Sequence, residues 1–344
     1  TCNGVGHTEI EKVTFQPWYY RDSLPTKAGN YYLMYDVNMI ISRSWEPADG
    51  TILCLNGKTI TVDTPTPEGM QEAIWLFADR TLTLCDCCGG GKITHAEKSI
   101  VDKNTDIAIK VLGTFNMYGG NITGNTARCG AGVVTAGTFN MYGGSITNNM
   151  ARYDANYTGS GVCSGGGVSV GGGTFNMFAG EITGNKGENG AGVSISKGTF
   201  NMEGGIISGN TAARNSATTA DTTEFYGGGV YITGGTFNMT GGEITGNTAG
   251  SGSGVYVAKD GCFTVSGSAK VSDNNDSNVY LPDGATIIIG KGGLADNARI
   301  GVTTEKTPAQ DSFVAIATGV ADGGYKTGTF IDDKNSGGEF RQMG

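Results

Sequence analysis

Gly113-Thr-Phe-Asn-Met-Tyr-Gly-Gly-Asn-Ile-Thr-Gly-Asn125 decides the fold, because near-copies of this phrase return from Gly137, Gly173, Gly198 and Gly235. Each copy runs on to a Gly-Val or Gly-Gly-Val. A recurring unit in the mid-twenties means stacked supersecondary units, each burying its apolar face against the next. Within the phrase, Phe115 and Met117 fall on one face, while Thr114, Asn116 and Tyr118 fall on the other. That alternation is the period of a β-strand. Three short strands (Thr-Phe-Asn-Met, then Ile-Thr, then Val-x-apolar) separated by Gly and Asn corners describe one coil of a parallel β-helix. No repeat holds the 10–12 helical residues that a leucine-rich or ankyrin unit requires. The expected fold is therefore all-β, a right-handed parallel β-helix of about eight coils with a cap at each end.

Composition narrows the function classes. The 60 glycines in 344 residues sit at fixed corners of an apolar repeat, where turns need positive φ. With 32 acidic against 23 basic side chains and no Lys/Arg run, the chain lacks the clustered cations that nucleic acid requires. No apolar stretch approaches the ~18–20 residues that span a bilayer. The start at Thr1-Cys2 and the end at Glu339–Gly344 read as a mature or trimmed chain without leader or anchor.

The even count of eight cysteines leans toward an oxidising compartment. Cys54 and Cys85 or Cys87 fall in successive coils, and Cys129 and Cys163 at matching corners of adjacent ones. Coils ~4.8 Å apart lie within the Cα range of a disulfide, so these five are the disulfide candidates. Zinc is the competing reading of Cys85-Asp-Cys87-Cys88. The run lacks two Cys-x2-Cys pairs and has only His95 nearby, so no metal and no cofactor is expected.

Residues 1–50 carry an aromatic-rich segment, read as an N-terminal cap that covers an otherwise open solenoid end. The β-helix is expected over 51–294, with cap strands over 295–344. Cys54-Leu-Asn-Gly-Lys-Thr-Ile-Thr, Leu84-Cys-Asp-Cys-Cys-Gly-Gly-Gly-Lys-Ile-Thr, the Gly-Thr-Phe-Asn-Met repeats, Asn278-Val-Tyr-Leu-Pro and Arg299-Ile-Gly-Val-Thr-Thr-Glu together resemble one family. It is the group of secreted or wall-attached right-handed β-helix proteins of gut-dwelling Gram-positive bacteria, within the pectate-lyase-like superfamily. The resemblance implies the fold and an extracellular or cell-wall location, and leaves activity open.

Spacing supplies the functional clue. From the corner Asn to the Val of the third strand, the coils measure 8, 19, 8, 20 and 8 residues, beginning at Asn125, Asn149, Asn185, Asn210 and Asn247. Two coils at ~4.8 Å each place the long segments ~10 Å apart, a width that suits an extended sugar chain. The groove would be lined by Arg152, Tyr153, Tyr157, Lys186, Phe225, Tyr226 and Tyr231, aromatic faces and polar groups suited to a glycan or host glycoprotein. The bland alternative is that solenoid loops vary freely. Asp154, Glu188, Asp221 and Glu224 are the candidate acid/base residues should the groove be a glycoside hydrolase site. Uronate elimination fits poorly, since no coil stacks the Asp cluster that a Ca²⁺ site needs. The expected function is an adhesin-like surface module that binds glycan or host protein, with glycoside hydrolysis or a structural stalk as alternatives. Two columns read as structural or nearly so: the corner Asn series, expected to stack as an amide ladder, and the outward Thr/Asn face.

Overall fold

The structure is a computed structural model that describes residues 14–40, 44–63, 72–96, 107–127, 129–152, 164–213, 224–306, 314–319 and 329–333. Among the described residues there is no helix, and strands stack in parallel ladders as a right-handed β-helix. The first strands of the regular coils are Thr114–Met117, Thr138–Met141, Thr174–Met177, Thr199–Met202 and Thr236–Met239. They lie in a 12-stranded sheet in which each Thr-Phe-Asn-Met pairs like with like. The second and third strands form two further ladders, joined into one 19-stranded sheet where Arg299–Thr304 pairs with both Lys270–Val271 and Val279–Leu281. A four-stranded ladder turns the corner between them: Thr126–Ala127, Met150–Ala151, Lys186–Gly187 and Thr211–Ala212.

In-register pairing forces identical side chains on top of one another. Phe115, Phe139, Phe175, Phe200, Phe237 and Phe263 are fully buried, with successive ring centroids 4.6 to 5.1 Å apart and rings nearly parallel. Met117, Met141, Met177, Met202 and Met239 are buried beside them. Glycine is demanded where this column meets the first corner. At Gly144, φ is +81° and a Cβ would come within 2.7 Å of the Met117 Cε, so the methionine ladder closes only over a bare backbone.

Pairing runs past residues 51 and 294 into both segments read as caps. Gln16–Trp18 pairs with Asn30–Leu33, which pairs with Thr51–Cys54, while Val37–Ile40 pairs with Thr59–Asp63. At the far end Ala317–Thr318 follows Ile287–Leu294, and Phe330–Asp332 follows Arg299–Thr304. These outer rungs lack the Phe-x-Met words that make the central coils legible. The N-terminal ones are closed by aromatics instead, Trp18 lying edge-on to Tyr31 at 5.6 Å.

The corner asparagines form the expected ladder. Asn125, Asn149, Asn185, Asn210 and Asn247 are fully buried, and each Nδ2 donates to the Oδ1 of the next corner at 2.8–3.0 Å. Each Nδ2 also donates to an isoleucine carbonyl of a neighbouring coil, and each inner Oδ1 accepts the backbone N–H of the preceding Asn. The amides therefore use both donors and both lone pairs, the condition for burying them without penalty.

Because the bonds all point one way, the chain needs a donor at its start and an acceptor at its end. His95 Nδ1 supplies the first at 2.8 Å from Asn125 Oδ1. Asp333 supplies the last, accepting from Asn278 Nδ2 at 2.7 Å after Asn274 has donated to Asn278. As Asn125 already spends both amide protons on Ile93 O and Asn149 Oδ1, the proton must sit on His95 Nδ1.

Burial pushes the His95 imidazole down from 6.5 to about 4, against the opposing pull of its Asn125 bond. Between those values the unfolded chain takes up a proton that the folded chain refuses. Stability therefore falls as pH drops from about 6.5 toward 4, with a loss on the order of 3 kcal/mol from this group. Urea unfolding across that range should show the slope in the parent and a flatter one in His95→Gln. Parallel slopes in the two proteins would remove His95 as the cause.

Candidate functional site

The outward column of the third strands changes character along the solenoid. Val134, Ser169 and Ser194 pair in register with Tyr231, Tyr256 and Tyr280 further on. Stacked coils bring these tyrosines together, with centroids 5.6 Å apart for Tyr231–Tyr256 and 5.4 Å for Tyr256–Tyr280. Tyr226 closes the cluster from the side, 4.4 Å from Tyr256 and 6.2 Å from Tyr231. Its backbone is fixed by an N–H donated to Asn189 Oδ1 at 2.8 Å and by a bridge to Ser251.

All four rings are half-buried, so they present edges and faces without being sealed in the core. Burial raises Tyr231, Tyr256 and Tyr280 above the usual phenol range. Neighbouring rings add to this in each case, as do the Glu305 charge beside Tyr256 and Tyr280 and the Glu224 charge beside Tyr280. The phenols thus stay protonated and remain hydrogen-bond donors across the physiological range. Exposed Glu224 accepts from Ser251 Oγ at 3.4 Å, and exposed Glu305 accepts from the Asp283 N–H at 2.7 Å. The result is an aromatic ridge with two carboxylates, Glu224 and Glu305, near its Tyr280 end.

The two long segments are anchored around one short turn. Ser164, which closes the first, bridges Asn189, and Gly190 N–H donates to Tyr226 O at 3.0 Å where the second closes. Asn189 thus sits between the two closing ends. Lys186 is exposed on the four-stranded corner ladder, Arg152 is exposed immediately after its Met150–Ala151 strand, and Phe225 is half-buried next to Tyr226 in the chain. Glu188 is 2 % exposed, so this carboxylate is enclosed in the turn and does not face solvent as an acid/base role would require. Tyr153, Asp154, Tyr157 and Asp221 lie outside the described residues, as does Cys163, the expected partner of Cys129.

The structure brings Tyr226 and Tyr231 together and adds Tyr256, Tyr280 and Glu305. Tyr280 had a legible signal: Val279-Tyr-Leu aligns with Val255-Tyr-Val and Val230-Tyr-Ile. Glu305 had none, since it lies where the repeat has decayed. On the opposite face the outward amides of Asn116, Asn140, Asn176, Asn201 and Asn238 bond to one another at 2.8–2.9 Å, donating toward the N-terminal end. That face spends much of its polar capacity on itself. Comparison with family models, curated proteins and solved structures gave no match for this chain.

Proposed function

We propose that the protein is an extracellular or wall-attached β-helix module that binds glycan or a host glycoprotein, with the tyrosine ridge as the contact surface. The observation that carries this reading is the convergence of Tyr226, Tyr231, Tyr256 and Tyr280 on one side of the solenoid, with the Glu224 and Glu305 charges acting on Tyr280. Sugar C–H faces pack on aromatic rings, while carboxylates and phenols bond vicinal hydroxyls. The likeness of the Cys-Leu-Asn-Gly and Gly-Thr-Phe-Asn-Met words to secreted pectate-lyase-like β-helix proteins of gut Gram-positive bacteria supports the location. Binding is favoured over hydrolysis on the observation that Glu188, a candidate acid/base carboxylate, is enclosed.

The test is a glycan array followed by calorimetry on its hits. Tyr226→Ala combined with Tyr256→Ala should weaken binding at least about tenfold, the equivalent of ~1.4 kcal/mol of lost stacking. Unchanged affinity in that double variant would move the site elsewhere, with the Thr/Asn face next to be mutated. Release of reducing sugar from mucin, milk or plant oligosaccharides would make the module a hydrolase.

A further inference from the structure

Cys54 and Cys85, expected as disulfide partners, are instead buried thiols paired in register near the N-terminal end, where Cys85 donates to Cys54. That pair is shielded from solvent. The tyrosine ridge, by contrast, joins accessible aromatic surface to charge of one sign. Glu224 stands two residues before Tyr226 and accepts from the Ser251 hydroxyl, while Ser251 itself bridges Tyr226. Glu305 donates its N–H to Leu281 O at 3.0 Å, which sets it beside the Val279–Leu281 strand that carries Tyr280. Both carboxylates are exposed, and both act on Tyr280.

We infer that the ridge selects saccharides bearing a primary ammonium, amino sugars without an N-acetyl group, over neutral and acidic ones; this rests on the binding reading above. An ammonium is attracted to the negative face of a phenol ring and to a carboxylate, so a ridge that offers both favours it twice. A uronate, a sialic acid or a sulfated sugar meets the same two carboxylates with repulsion. A neutral sugar keeps the ring packing and gains nothing from the charge.

The surroundings suit a cation. Among the described residues no lysine or arginine acts on Tyr231, Tyr256 or Tyr280; the charged side chains that do are Glu224 and Glu305. Lys306, next to Glu305 in the chain, has its Nζ 2.6 Å from the Asp283 carboxylate and is paired there. The rings are also splayed: Tyr226 is tilted 42° and Tyr231 55° to Tyr256, whereas the core phenylalanines stand within 18° of their neighbours. A parallel stack spends its faces on itself, while splayed and half-buried rings turn part of a face outward. Cation–π contacts and ion pairs are each weak at an exposed surface, and the two together amount to about tenfold in affinity.

The experiment is calorimetry of the full chain with a glucosamine oligomer, its fully N-acetylated counterpart and a galacturonate oligomer of equal length. It is run at mildly acidic pH, where the amine is protonated and ordinary carboxylates are ionised. The glucosamine oligomer should bind about tenfold more tightly than the N-acetylated one, and galacturonate most weakly. The preference should shrink as salt rises, since exposed charges are screened. Glu224→Gln combined with Glu305→Gln keeps the acceptors for Ser251 and Asp283 and should bring the two amino-sugar affinities together. Circular dichroism checks that the variant is folded. Equal affinity for the first two oligomers, or tightest binding of galacturonate, overturns the inference and leaves the binding reading standing. A preference that survives in the folded Gln variant overturns it too, by removing the carboxylates as the cause. If none of the three binds and the glycan array is blank, the two readings fail together.

Discussion

Phe175→Ala should lower the unfolding free energy by about 3–5 kcal/mol, the cost of emptying a buried aromatic site. The Phe175 ring lies 4.7 Å from Phe139 and 4.6 Å from Phe200, within 7° of parallel to both, and is fully buried. In a solenoid each coil touches only its neighbours, and backbone ladders hold those neighbours at fixed spacing. The walls therefore cannot close over the cavity as a loop or helix might. The control is Tyr142→Ala. Tyr142 also stacks in a column, 4.6 Å from Tyr118 and 4.8 Å from Phe178, but it points outward and is 39 % exposed. Its loss should cost about 0.5–1.5 kcal/mol, the worth of aromatic contacts alone. Denaturant unfolding of both variants gives the comparison, and similar losses would contradict the placement of the phenylalanine ladder as the core.

Asn185→Asp should be at least as damaging, although it changes shape hardly at all. Asn185 is fully buried at the middle of the amide ladder, where its Nδ2 donates to Ile146 O and to Asn210 Oδ1, both at 2.9 Å. A carboxylate there has no protons to give, so it faces two acceptors with its own charge while stripped of water. Leaving a charge buried and uncompensated costs about 3–5 kcal/mol. Such a group resists ionisation, so its folded pKa rises above the ordinary ~3.9. The penalty is then absent below about pH 4 and grows as pH climbs through the raised value. The variant should recover toward its parent on acidification, opposite in sign to the loss expected from His95. Asn185→Ala separates the two effects, because it loses the bonds and carries no charge. Midpoints in urea at several pH values would show this, and a pH-independent deficit in the Asp variant would refute the buried-charge account.

The fold was legible because a solenoid repeats its instructions. Phe-x-Met at period two fixes which face is inward, Gly-Gly and Gly-Asn fix the corners, and copies of one phrase fix the register, so the Phe, Met and Asn ladders follow from the sequence alone. The outer rungs were harder to read. Trp18, Tyr31 and Phe330 serve the same geometry without the repeated words, and strand pairing there depends on being templated by the coil beside it. Spacing also gave the turn at Asn189 between two long segments. It could not give burial, and so could not tell that Glu188 is enclosed while Glu224 is exposed.

What the sequence determined by itself is everything local or periodic: the strands, the corners, the stacking of like on like. The tertiary structure alone decided which unlike residues meet. Tyr226 reaches Tyr256 across 30 positions, Cys54 meets Cys85 and Cys87 across a coil, and the amide chain ends on His95 and Asp333. The physical reason is that stacking converts residues one coil apart in sequence into neighbours under 5 Å apart. Side chains that break the repeat become a site only through that conversion.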